Sequence, residues 1–255
     1  MNPIYSPTTT KSSYAPISLE GKEVIVTGAS RGIGKAIALQ LAEAGANLHL
    51  LGRNIETLKA VQSESSGSTR EAMVYKVDLT DDTDLKIFVK SFLNSHHKVD
   101  ILIHNAGMIH MGPVAKCPPS DFDKIFQLNV RAPYALVHHL MPAFQEEFAQ
   151  VLMINSTVTP RANLSQYAAS KQALQSVTDS LRQEVNENNI RVMSIYPGST
   201  ATDMLKQVYA YAGRTVCNPE RLLQPEDIAH TVHHMLTMPR TAEITDVKIR
   251  PFLKP

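Results

Sequence analysis

From Glu23 onward, short apolar runs alternate with longer stretches whose apolar residues recur at helical spacing. The runs at 23–27, 47–51, 72–77, 99–104, 151–155, 190–196 and 244–249 predict strands. Several are apolar on both faces, which suits buried parallel strands, and their alternation with helical patterns predicts βαβ units. Among the helices, Leu85, Phe88, Val89, Phe92 and Leu93 follow Asp81, Asp82 and Asp84, acids placed where a helix N-terminus favours them. A second helix is predicted over 165–188, with Leu174, Val177, Leu181 and Val185 on one side, and Gln224-Pro225-Glu226-Asp227 reads as the start of another. Pro133 and Pro142 interrupt the helix that holds Phe126-Gln127-Leu128-Asn129-Val130 and predict a kink there.

Two places in this pattern carry chemistry. After the first strand comes Thr27-Gly28-Ala29-Ser30-Arg31-Gly32-Ile33-Gly34, and a helical run follows it. Glycines let a backbone turn sharply and approach a pyrophosphate, while the helix N-terminus presents free N–H groups to the anion. The spacing G-x-x-x-G-x-G, set between a strand and a helix, predicts nucleotide binding. The second strand ends in Leu51-Gly52-Arg53, with no carboxylate to hold a ribose diol. Arg53, with Arg31, is suited to a 2′-phosphate, so NADP is expected over NAD; the alternative is that Arg53 is a solvated turn residue. The second place is Tyr167-Ala168-Ala169-Ser170-Lys171, where a phenol and an ammonium four residues apart share a helix face. A cation beside a phenol favours the phenolate and makes the tyrosine a usable acid or base.

Composition narrows the partners. A length of 255 residues with 43% hydrophobic and 19% charged residues suits one large globular domain. With a formal net charge of +1 and no basic run, neither nucleic acid nor an anionic membrane is an expected partner. No apolar run approaches the ~20 residues of a membrane span. Cys117 and Cys217 form no C-x-x-C pair, so neither a disulfide framework nor a zinc knuckle is expected and a cytoplasmic setting is. Residues 1–18 are polar, lack the apolar core of a signal peptide and read as a flexible arm. Adjacent histidines do not face one another on a helix, so His96-His97, His138-His139 and His233-His234 read as surface residues and no metal site is expected. His104 and His110 flank Asn105-Ala106-Gly107, near where a nicotinamide would lie.

The motifs occur in one order: Thr27 to Gly34, Asp78 after the third strand, Asn105-Ala106-Gly107 after the fourth, Ser156 after the fifth, Tyr167 and Lys171 behind it, and Pro197-Gly198 after the sixth. In that order the chain resembles the short-chain dehydrogenase/reductase family over about residues 20–250. The resemblance implies an α/β fold: a single-domain Rossmann fold, with a doubly wound seven-stranded parallel sheet and helices on both faces, over 19–255. It implies a catalytic tetrad in which Asn129 holds a relay water, Ser156 bonds the substrate carbonyl, Tyr167 gives or takes the proton, and Lys171 holds the nicotinamide ribose and favours ionisation of Tyr167. It also implies NADP(H) held by Gly28, Ser30, Arg31, Gly32, Ile33, Gly34 and Arg53, by Asp78 and Leu79 at the adenine, and by Asn105, Ala106 and Gly107 at its ribose. Tyr167, Lys171, Pro197, Gly198, Thr200 and Thr202 complete that set at the nicotinamide end.

The expected activity is interconversion of a small-molecule carbonyl and its alcohol; a non-catalytic redox sensor and an epimerase or dehydratase on the same fold are the alternatives. Family members commonly form homodimers or homotetramers through the helices holding Asn129 and Tyr167. Ser156 and Tyr167 stand closer in sequence than is usual in the family, so the loop 157–164 is short, and Thr157 competes with Ser156 for the hydroxyl role. The segment at about 203–223, with Tyr209, Tyr211 and Cys217, occupies the place of the substrate lid, and its aromatics either cover a substrate or pack on the body.

Overall fold

The computed structural model describes residues 14–67, 71–144, 148–214 and 219–253. Seven parallel strands form one sheet: β1 (Glu23–Thr27), β2 (Asn47–Gly52), β3 (Ala72–Lys76), β4 (Ile101–His104), β5 (Ala149–Ile154), β6 (Ile190–Pro197) and β7 (Asp246–Ile249), in the order β3-β2-β1-β4-β5-β6-β7. The chain leaves β1 toward β2 and β3, then returns to place β4 on the other side of β1. That reversal opens a crevice at the carboxyl ends of β1 and β4, where ligands of doubly wound sheets bind.

Helices cover both faces. The helices are α1 (Gly32–Glu43), α2 (Ile55–Ser65), α3 (Asp82–Ser95), α4 (Pro119–Phe126), α5 (Ala132–Leu140), α6 (Ser165–Val185), α7 (Asp203–Tyr211) and α8 (Pro225–Thr237). One core layer joins Ile37 and Leu41 of α1 and Val232 and Leu236 of α8 to Val24, Val26, Leu48 and Leu50 of the sheet. The other joins Leu85 and Phe92 of α3, Leu136 of α5 and Leu174 of α6 to Ile25, Leu51, Leu102 and Val151. Strands β1, β2, β4, β5 and β6 are buried through most or all of their length, as their two-sided apolar runs predict.

The structure moves several predicted boundaries. Val99 makes an isolated bridge to Phe144 ahead of β4, and β7 begins at Asp246 rather than residue 244. The helix predicted over 165–188 ends as α-helix at Val185, continues as a 3-10 turn over Asn186–Asn188, and stops at Asn189 with a left-handed φ of 60°. Between α4 and α5 the backbone widens into a π-helical segment, Gln127–Arg131, where a kink was expected. Most of the expected N-terminal arm, residues 1–13, lies outside the described residues, as does Cys217. Within the expected arm, Ile17 is not loose: its N–H donates to the Thr237 carbonyl at 2.9 Å, ending on α8. Among the described residues no helix is long and apolar enough to cross a membrane.

Candidate active site

The first wall of the crevice is the turn from β1 into α1. Gly28 has φ of +63°, and a Cβ there would lie 2.9 Å from the Ala106 Cα. A Cβ on Gly34 would overlap the Gly28 carbonyl oxygen and the Asn105 side-chain amide. The turn is tied to the end of β4 through one hydroxyl: Thr27 Oγ1 donates to the Ile103 carbonyl and accepts from the N–H groups of Asn105 and Ala106 at 3.0 and 3.1 Å. Asn105 Nδ2 donates back to the carbonyls of Thr27 and Gly28 at 3.1 and 3.0 Å. At its N-terminus α1 has no side-chain cap and no acid in its first turn, which leaves its orphan N–H groups for an anion from outside. This cradle, open to the crevice and closed to any side chain at Gly28 and Gly34, fits a dinucleotide pyrophosphate.

Beyond the cradle, Arg53 follows β2 and is exposed on the cavity wall. Its charge acts with the Thr80 hydroxyl, the larger cause, to hold the Asp78 carboxyl below its ordinary range. Asp78 Oδ1 accepts from Thr80 Oγ1 at 2.7 Å and Thr80 N at 2.9 Å. Arg31 turns across the opening, with Nη1 3.5 Å from Asp203 on α7. Both arginines remain solvent-facing, the state in which a phosphate can recruit them.

The reacting end is built by β5 and α6. Ser156 lies just past β5, and Tyr167 and Lys171 lie one above the other on the buried side of α6, 8% and 7% exposed. Burial pushes the Tyr167 phenol above its ordinary range, and a hydrogen bond with Ser156 pulls it back in part. The phenol thus lies above its ordinary range and not below it, with burial the larger cause. Burial also brings the Lys171 ammonium down to about 8, and its Nζ donates to the Ile154 carbonyl at 2.9 Å. Thr157 donates its hydroxyl to the Pro197 carbonyl at 3.2 Å, so of the two adjacent hydroxyls Ser156 is the one that meets Tyr167.

Asn129 lies behind this group in the π segment and is 1% exposed. Its side chain is fully engaged: Oδ1 accepts from Met108 N, while Nδ2 donates to the Met108 carbonyl and to Ser170 Oγ, all at 2.9–3.0 Å.

A cavity of about 860 Å³ joins the two ends. All the predicted site residues line it except Gly34, which sits inside the turn, and Asn129, which sits behind the wall. His104 and His110 do not line it. His104 is fully buried, with burial pushing its imidazole down to about 3, and His110 lies 3.4 Å from Asp121. In the expected lid, Met204, Leu205 and Val208 of α7 face the cavity, whereas Tyr209 and Tyr211 do not. Sequence reasoning missed Asn155. It is 4% exposed, lies on the cavity wall, and neither amide atom has a hydrogen-bond partner among the described residues. The sequence reads it as the last residue of the strand predicted over 151–155, so only the structure marks it out. The histidine pairs are only partly at the surface. His97, His138 and His234 are exposed as expected, His139 and His233 are half-buried, and His96 is packed against Phe92 and Glu23.

The sequence profile described as short chain dehydrogenase matches residues 22–212. The chain is 34% identical to 3-oxoacyl-[acyl-carrier-protein] reductase of Chlamydia pneumoniae over 192 residues, covering 74% of this chain and 77% of that one. A metagenomic short-chain oxidoreductase solved in complex with NADP superposes with a TM-score of 0.79 at 32% identity, over 93% of this chain and 100% of its own. A 3-ketoacyl-(acyl-carrier-protein) reductase of Brucella melitensis complexed with NADH superposes at 0.80 with 31% identity, over 91% and 98%.

Proposed function

Since the chain belongs to the short-chain dehydrogenase/reductase family, we propose that it interconverts a carbonyl compound and its alcohol with NADP(H), with Tyr167 passing the proton at the carbonyl oxygen. The observation that carries this reading is the meeting of Ser156, Tyr167 and Lys171 in one cavity whose far end is the glycine cradle. The nicotinamide, when bound, supplies or accepts the hydride, and the protein supplies position and the proton. In the reductive direction Ser156 Oγ–H donates to the substrate oxygen, where negative charge develops. Tyr167 Oη gives its proton to that oxygen, and the raised phenol keeps the proton on Tyr167 until it is needed. Lys171, buried and titrating near pH 8, is suited to return a proton to Tyr167, and by the family resemblance Asn129 would hold the relay water behind it.

Met108, Ile109, Leu164, Met204, Leu205 and Val208 give the cavity an apolar side, so the substrate proposed is a small ketone or aldehyde with an apolar body. The preference for NADP rests on Arg53 and Arg31 and on the missing carboxylate at the end of β2. The NADP held by the metagenomic relative is in keeping with it. A cytoplasmic homodimer or homotetramer belongs to the same reading. Tyr134, 61% exposed on α5, and Phe122, 41% exposed on α4, offer apolar surface beside the Asn129 segment.

NADPH consumption over a panel of apolar ketones and aldehydes tests the proposal. Tyr167→Phe is expected to lower kcat by ~10²–10⁴-fold with NADPH binding retained, the range for a positioned acid or base. Arg53→Ala is expected to weaken NADPH by ~10-fold or more and leave NADH unchanged, as loss of a charge-assisted bond predicts. Tight NADPH binding with no turnover of any carbonyl, or a Tyr167→Phe variant of full activity, would sink the oxidoreductase reading. Equal losses for both nucleotides in Arg53→Ala would remove the 2′-phosphate.

A further inference from the structure

At the end of the sheet away from the cleft, three ligand-bearing side chains converge from three elements. Glu23 opens β1, His49 lies in β2, and His96 is the C-cap of α3. The parallel register pairs Glu23 with Asn47 and Ile25 with His49, so Glu23 and His49 project from the same face. Over that face Phe92 meets the His49 ring edge-on at 4.8 Å, and His96, one helical turn later, stacks on Phe92 at 5.2 Å. Glu23 Oε2 lies 2.7 Å from His49 Nε2 and 3.6 Å from His96 Nδ1, and the three ligand atoms are all within 4.8 Å of one another. The second Glu23 oxygen accepts from Asn47 Nδ2 at 2.8 Å.

The Tyr75 hydroxyl lies 3.2 Å from His49 Nδ1 and 3.5 Å from Met73 Sδ. At 2.7 Å a proton on His49 Nε2 bridges to Glu23 Oε2. A cation would take the place of that proton and leave the imidazole proton on Nδ1, from which the Tyr75 oxygen would accept. One glutamate and two histidines brought together from three elements are donor types that zinc takes.

We propose that Glu23, His49 and His96 form a structural site for a divalent transition metal of the zinc class, bound by Glu23 Oε2, His49 Nε2 and His96 Nδ1 with water as the fourth ligand. Tetrahedral zinc with bonds of ~2.0–2.1 Å sets its ligand atoms ~3.3 Å apart. Binding would widen the 2.7 Å Glu23–His49 contact and draw in His96, which lies 3.6 Å from Glu23, is 14% exposed at the rim and gives the ion its way in. Tyr75 serves as the outer partner that orients His49. The ion would tie β1, β2 and α3 together at the end of the sheet opposite the cradle, stabilising the fold without entering the hydride chemistry.

Full-length protein freed of any affinity tag and treated with chelator is titrated with cobalt(II), then zinc(II). The expected result is one equivalent of cobalt with the visible absorption of a four-coordinate nitrogen and oxygen site, its displacement by zinc, and a rise in Tm with either metal. His96→Ala and Glu23→Gln should each abolish the absorption, His97→Ala should keep it, and Tyr75→Phe should weaken binding by ~10–100-fold, as loss of an outer partner does. Circular dichroism and the activity of the reaction cleft report whether each variant is folded. The proposal is overturned if neither metal raises Tm or gives the absorption, or if both effects survive in folded His96→Ala.

Discussion

Lys171 is 7% exposed, and its ammonium, near 10.5 when free, titrates at about 8 in the fold. Between those two values the unfolded chain binds more protons than the folded one, so stability rises with pH across that window. Below about 8 both states are charged and the whole cost of burial is present, a few kcal/mol at ~1.4 kcal/mol per unit. Lys171→Met removes that cost and forfeits one hydrogen bond to Ile154, worth about 1 kcal/mol. The variant should therefore melt several degrees higher than the parent at pH 7, converge on it toward pH 10, and lose turnover. Thermal unfolding at the two pH values checks this; an equal or lower Tm at pH 7 would mean the fold bears no such cost. The four-residue spacing made the Tyr167 and Lys171 pairing legible. The direction of the Tyr167 shift was not, because it depends on burial by β5 and the loops above it. His96 was misread for a related reason: its partner Glu23 is fixed by the packing of α3 on β1 and β2, and no local pattern states that.

Among the elements, α1 shows how a local rule is overridden. Glycine inside a helix costs ~1 kcal/mol relative to alanine, so Gly34→Ala should stabilise α1 in isolation. In the fold the added Cβ meets a backbone carbonyl and the Asn105 amide, neither of which can withdraw without opening the cradle. The variant is expected to lower Tm and to weaken NADPH by tenfold or more, read by calorimetry and cofactor fluorescence. A stabilised variant with unchanged affinity would contradict the close packing of α1 on the turn. Strands were legible to within a few residues because two-sided apolar runs have few other uses. The π segment at Gln127–Arg131 was legible only as an interruption: Pro133 announced a break, but its form is set by Asn129 reaching across to Met108.

On the scale of the whole molecule, strand order was implied by the family resemblance and motif order, while the contents of the cavity were not, since its apolar side gathers residues from the loop after β4, the loop after β5 and α7. The hydroxyl of Thr27 joins segments 78 residues apart in sequence, from the first strand to the fourth. Every residue of the glycine motif is made within the first βα unit, yet the cradle is held in shape by Asn105. Cofactor capture should therefore be a late event in the life of each chain. In refolding from denaturant with NADPH present, the cofactor's fluorescence is expected to recover with the slowest folding phase, and an earlier recovery would mean the first unit binds alone. A ribosome would have to release more than the first hundred residues before the nascent protein gained any affinity for its nucleotide, so a truncated product would compete for none of the cellular supply.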